Sequence, residues 1–234
     1  MSSGTRVPVF NLFASAYDLI TDHVYWRDQI ARMLAYAGAP SERLRVLDLG
    51  CGPGVSTFVL AQELGPGASL VGVDLSRAMI TRANRHAETR FPELENVRFE
   101  QADATRLAFA DGAFDLAVGH SFLYLVSDRD AVLREVRRVL APGGTLVLME
   151  PHDEADLLGA AASGTTRWRE AVRHPWDASR FAAAMVAWRL VSTAARRMPR
   201  LAIERAFCDA GFTDVATHPT LAGLGLHCVG RAAA

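Results

Sequence analysis

From Arg45 onward, short apolar runs alternate with longer segments whose apolar positions recur at helical spacing. Five runs read as strands: Arg45 to Leu49, Ser69 to Val73, Val97 to Glu100, Phe114 to Val118 and Thr145 to Met149, each with Gly, Asp or Pro punctuation nearby. Helices are predicted near Val55 to Leu64, Ser76 to Arg90 and Asp128 to Leu140, the last halted by Ala141-Pro142-Gly143-Gly144. Such alternation is the pattern of an α/β protein, a parallel sheet covered by helices on both faces. A helix over Arg200 to Ala210, a stop at Gly211-Phe212 and two short β runs, around Val215 and over Leu224 to Val229, close the chain.

Two segments depart from that rhythm. Asn11 to Ala37 reads as one or two amphipathic helices, with Phe13, Tyr17, Ile20, Tyr25 and Trp26 interleaved among polar residues. Ala155 to Arg200 carries eight arginines against three acids and holds Trp168, Trp176 and Trp188. No linker divides the chain, so its 234 residues are expected to form one domain with elaborations.

Composition narrows the chemistry. The 25 basic side chains are all arginine, which excludes a lysine Schiff base and a phosphate-loop lysine. A formal net charge of -1 provides no global field for a polyanion, so nucleic acid is not an expected partner. Cys51, Cys208 and Cys228 have neither zinc-site spacing nor an even-numbered disulfide framework, so no metal is expected and a reducing cytoplasm fits. No apolar stretch is long enough to cross a membrane and none reads as a signal peptide, so a soluble, unprocessed protein is expected.

Candidate chemistry begins after the first strand, at Asp48-Leu49-Gly50-Cys51-Gly52-Pro53-Gly54. Glycines there let the backbone turn tightly and approach a ligand at the carboxyl end of a strand. Val55 stands where a dinucleotide fingerprint has its third glycine, which disfavours a pyrophosphate cradle. Asp74 ends the second strand, where a carboxylate can accept from both hydroxyls of a ribose. Asp103, in Gln101-Ala102-Asp103-Ala104, adds an acid at the same edge, suited to an adenine amino group. Taken singly, the acids also read as helix caps and the glycines as tight turns.

Together these residues resemble class I S-adenosylmethionine-dependent methyltransferases of the small-molecule type, similar to the ubiquinone and menaquinone methyltransferase-like group. Val46 to Gly54, Val71 to Ser76, Gln101 to Ala104 and Leu133 to Gly144 match that family's motifs in order. The resemblance implies a doubly wound, Rossmann-like, seven-stranded sheet whose last strand is antiparallel, with N-terminal helices and a helical cap insert. It divides the chain into an N-terminal lid (1–44), a cofactor-binding core (45–150), a substrate cap (151–200) and a closing helix with a β-hairpin (201–234). Carried over, it implies that Gly50, Gly52 and Gly54 face the methionine part of S-adenosylmethionine, with Asp48 adjoining. Asp74 would hold the ribose, Leu75 and Met79 flank the adenine, and Asp103 and Ala104 meet its edge.

Methyl transfer asks the protein to position an acceptor, with a base only where a proton must leave. His120 after the fourth strand and His152 after the fifth are candidates, with His120 also touching cofactor; Tyr124 would share a face with His120 if Ser121 to Leu125 were helical. Tyr17, His23, Tyr25 and Trp26 are expected in a lid, with Tyr17 toward the cofactor and Tyr25 and Trp26 toward the acceptor. His152, Trp168 and Trp176 are expected to contact the acceptor from the cap side, and Trp188 is a further lining candidate. The Arg-rich insert also fits an anionic-partner surface or a homodimer contact.

The activity expected is methylation of an O, N or C atom of a small organic acceptor in specialised metabolism. Phe13-Ala14-Ser15-Ala16-Tyr17-Asp18 is similar to the opening of quinone-biosynthesis C-methyltransferases, a resemblance that implies quinone C-methylation as an alternative, and phospholipid N-methylation remains open through the insert. A cofactor-binding scaffold without turnover is the alternative from another class.

Overall fold

The computed structural model describes residues 24–37, 43–151 and 197–233, and residues 176, 179, 183, 186, 188–190 and 192–193 between them; the side chains of residues 24–26 and 222 are outside the description. Helix α1 (Val24–Met33) precedes the sheet. The core then runs β1 (Arg45–Leu49), α2 (Val55–Leu64), β2 (Ser69–Asp74), α3 (Arg77–Arg90), β3 (Val97–Gln101), β4 (Phe114–His120), α4 (Arg129–Val139) and β5 (Leu140–Pro151). After the insert come α5 (Arg200–Asp209), β6 (Phe212–Thr220) and β7 (Gly225–Ala232).

Seven strands form one sheet in the order β3-β2-β1-β4-β5-β7-β6. Strands β1 to β5 are parallel to one another, and β7 is antiparallel to both β5 and β6. The expected seven-stranded topology with its antiparallel last strand is therefore present. Strand order reverses between β1 and β4, which opens a crevice at their carboxyl ends.

Both faces of the sheet are buried, which is why its central strands are almost wholly apolar. Leu47, Leu49, Val71, Ala117, Leu146 and Leu148 pack with α4 and α5 residues such as Val136, Ile203 and Phe207. Val46, Leu70, Leu116, Val118 and Val147 alternate to the opposite face and meet Ile30 and Met33 of α1 and Leu60 of α2. Helix starts follow local chemistry: the Ser76 hydroxyl accepts from the Met79 N–H at 3.3 Å, and the Asp128 carboxylate accepts from the Ala131 N–H at 3.0 Å.

Two boundaries differ from the sequence pattern. Helix α4 ends at Val139 and β5 begins at once, with Leu140 paired to Phe114 ahead of an irregularity that absorbs the Pro142-Gly143-Gly144 segment. Strand β6 is a nine-residue element rather than a short run, because pairing with β7 resumes beyond an interruption between Thr213 and Ala216, where Asp214 takes a left-handed φ of 49°.

The closing helix is held by Phe207, which is fully buried and packs on the Phe212 ring, 5.4 Å between centroids. Phe207→Ala should cost about 3–5 kcal/mol in urea unfolding. Leu201→Ala, on the exposed side of the same helix, should cost under about 0.5 kcal/mol. Equal losses at the two positions would contradict this docking.

Candidate functional site

Three carboxylates, each at or near the carboxyl end of a parallel strand, organise the crevice. Asp48 on β1 is fully buried, and its Oδ2 accepts from the Ser56 and Thr57 hydroxyls, each at 2.6 Å. These hydroxyls belong to the first turn of α2, so Asp48 ties the strand to the helix across the glycine turn. Its Oδ1 has no hydrogen-bond partner among the described residues. Burial pushes the Asp48 carboxyl up to about 6, and the two hydroxyls only partly counter that.

Gly50, Gly52 and Gly54 take φ values of 63°, 55° and 94°, a left-handed path that only glycine follows without strain. The turn is tied to β2 by the Cys51 N–H, which donates to the Val73 carbonyl at 3.0 Å. A Cβ on Gly50 would lie 2.5 Å from Phe122, and one on Gly54 would lie 2.7 Å from Phe58. At these two positions the lost side chain makes room for protein aromatic rings, in addition to the backbone access expected from the spacing.

Asp74 at the end of β2 accepts from the Gly52 N–H at 3.1 Å and from the Ser76 N–H at 2.7 Å. One oxygen faces each donor, so the carboxylate is locked in one orientation. Burial raises its pKa, against the lowering effect of those two N–H groups. Beside it, Leu75 is partly exposed and Met79 is buried. The Ala102 N–H donates to the Asp74 carbonyl at 3.1 Å and the Gln101 amide to the Leu75 carbonyl at 3.1 Å, which brings the segment after β3 to the same edge. Asp103 is exposed there, its Oδ1 accepting from the Thr105 N–H and hydroxyl at 2.9 and 2.8 Å, with Ala104 between them.

His120 ends β4 and is 7% exposed. Burial, together with the nearby His227, drives its pKa down to about 3, so the imidazole is neutral at physiological pH. His227 itself is pushed down to about 4, first by burial and then by His218. His120, Met149, His227 and His218 lie in one row across β4, β5, β7 and β6, with Tyr36 stacked on His218 at 4.8 Å. The helical relation expected between His120 and Tyr124 does not form. Ser121 is left-handed at φ 60° and only Leu123–Leu125 makes a 3-10 turn, so buried Tyr124 does not follow His120 on a helix face.

That turn is held by Glu150, a residue the sequence pattern leaves unassigned. Glu150 is 2% exposed. Its Oε1 accepts from the Phe122 and Leu123 N–H groups at 3.0 and 2.7 Å, and its Oε2 from the Tyr124 N–H at 3.0 Å. Burial pushes its carboxyl up to about 7, against the three N–H groups and Arg129. Trp188 of the insert, 7% exposed, donates its indole N–H to the Ser121 hydroxyl at 3.0 Å. Trp176 stands 75% exposed instead. Tyr17, His23, His152 and Trp168 lie outside the described residues; Tyr25 and Trp26 fall on α1, without described side chains. Cys51 is buried and its thiol is pushed well up by that burial, which suits a small packing residue rather than a nucleophile. No group of three or more potential metal ligands occurs among the described residues.

Comparison with known proteins agrees with this geometry. A family model described as a methyltransferase domain matches residues 40–192. The demethylmenaquinone methyltransferase of Thermus thermophilus is 42% identical over 149 residues, covering 61% of this chain and 64% of the relative. The arsenite methyltransferase of Aquipseudomonas alcaligenes is 37% identical over 118 residues, covering 48% and 34%. The chain therefore spans less than two thirds of the length of these curated relatives. Among solved structures, a SAM-dependent methyltransferase from Aquifex aeolicus shares the fold with a TM-score of 0.64 at 14% identity, over 94% of this chain and 97% of that one.

The buried Asp48 charge generates a test. Its carboxyl titrates near 6 when folded against an ordinary 3.8, so the native state binds more protons in that window. Stability from this residue is present at the acid end and falls as pH rises from about 4 to about 6. In urea unfolding, the wild type should therefore lose on the order of 3 kcal/mol relative to Asp48→Asn between about pH 4 and about pH 7. A pH-independent difference would remove Asp48 as the titrating group.

Proposed function

The chain belongs to the methyltransferase-domain family, and from that premise we propose that it is an S-adenosylmethionine-dependent enzyme methylating an O, N or C atom of a small organic molecule. The observation that carries the cofactor reading is the Asp74 carboxylate, locked between the Gly52 and Ser76 N–H groups beside a left-handed glycine turn at the strand-order reversal. No described ion pair engages it, so its remaining lone pairs can accept ribose hydroxyls. Leu75 and Met79 would flank the adenine, Asp103 and Ala104 would meet its edge, and Gly50, Gly52 and Gly54 would line the methionine part, with Asp48 supporting the turn from behind. When bound, S-adenosylmethionine supplies an electrophilic methyl group on a sulfonium centre.

Where the acceptor must lose a proton, His120 is the candidate of this reading: burial keeps its imidazole neutral, with a lone pair that can accept a hydrogen bond from the acceptor, and the same burial makes it a weak base. Because it titrates near 3, the rate should show no acid limb from this residue above about pH 4. Tyr124 belongs to the turn beside it. Trp188 anchors the insert to that turn and supports a substrate cap; Trp176, Val186 and Leu190, all well exposed, favour a homodimer contact through the same insert. A quinone acceptor is the second reading, favoured by the likeness to demethylmenaquinone methyltransferase. The free cysteines, and the lack of a membrane-spanning helix among the described residues, support a cytoplasmic enzyme.

Calorimetric titration with S-adenosylmethionine and S-adenosylhomocysteine tests the cofactor, and both should bind. Asp74→Ala should weaken each by at least about tenfold, and unchanged affinity would remove Asp74 as the ribose ligand. His120→Ala should keep cofactor affinity and lose turnover on any acceptor found by screening phenols, quinols and amines. Wild-type turnover in that variant would demote His120 to packing.

A further inference from the structure

We propose that Glu150 is a positioning residue for cofactor binding: it fixes the turn after β4 so that Phe122 stays packed on Gly50, which holds the glycine turn in its binding shape. The inference rests on the cofactor reading above. Three consecutive N–H groups, those of Phe122, Leu123 and Tyr124, converge on one carboxylate within 2.7 to 3.0 Å. Left-handed Ser121 enters the turn, its N–H donating to the Met149 carbonyl at 2.7 Å, one residue before Glu150. Arg129 donates to the Tyr124 carbonyl at 3.0 Å, so Tyr124 is held through both its N–H and its C=O. Glu150 thus fastens residues 122 to 124 to the end of β5, and the Met149 carbonyl fastens Ser121 beside them.

The turn reaches the cradle through one side chain. The Phe122 ring lies so close over Gly50 that a Cβ there would sit 2.5 Å from it, and it also borders Gly119 at the end of β4. Gly50 is the first left-handed residue after β1, so whatever presses on it bears on the path to Gly52, whose N–H orients Asp74. A chain of packed contacts therefore runs from Glu150 through Phe122 and Gly50 to the proposed ribose ligand. Only a carboxylate supplies the acceptors this requires. In Glu150→Gln one oxygen can still accept, but the amide NH2 must meet an N–H donor.

S-adenosylhomocysteine binding should be titrated for the wild type, Glu150→Gln, Phe122→Ala and the double variant, with amide exchange followed at residues 122 to 124. Glu150→Gln should weaken binding about tenfold and accelerate exchange at those three amides. Phe122→Ala should weaken binding by a similar factor. In the Phe122→Ala background, adding Glu150→Gln should cost less than about twofold, because the effect travels through the ring; a general loss of packing would add instead. Additive losses, or wild-type affinity in Phe122→Ala, overturn the proposal, and the Phe122 arm decides it even where Glu150→Gln does not fold. A wild type that binds no S-adenosylhomocysteine overturns the cofactor reading and this one together.

Discussion

A carboxylate taken out of water must be met by donors, and the ligand edge of this sheet is built around three that are. Asp48, Asp74 and Glu150 lie at or near the carboxyl ends of β1, β2 and β5, where the apolar sheet gives way to loops. Each draws in the groups of a neighbouring turn: the hydroxyls opening α2, the N–H groups of Gly52 and Ser76, and three N–H groups after β4. Leaving any of these groups unpaired would cost several times what a formed hydrogen bond contributes, so loop shape follows from carboxylate position.

The consequence for function is preorganisation. Asp74 does not wait for a ligand to choose its orientation, because both of its oxygens are already engaged by backbone donors. Burial raises the pKa of all three acids, which is the energetic cost of keeping them there. Ordinary surface acids at these strand ends would be cheaper and would define no loop. His120 and His227 show the same environment acting on bases, with burial holding both imidazoles neutral.

Much of the proposed cofactor side was legible in the chain. Gly50, Gly52, Gly54, Asp74, Asp103 and Met79 lie close in sequence to strand ends, so strand prediction alone brings them to one edge, and the structure does gather them there. Other members were hidden for a physical reason. Glu150 is 26 to 28 residues from the N–H groups it binds, and Trp188 is 67 residues from Ser121, so no local spacing reports either contact. His227 joins the row beside His120 only because β7 inserts next to β5.

The sequence by itself determined the alternation of strands and helices, the tight glycine turn and the placement of the first two acids, because each follows from local backbone chemistry and the period of apolar residues. Only the tertiary structure decided that Phe122 would close on Gly50, that Glu150 would gather the turn after β4, and that the turn would be left-handed and 3-10 rather than helical. These depend on which distant groups are buried together, and a buried donor takes whatever acceptor the fold brings within reach.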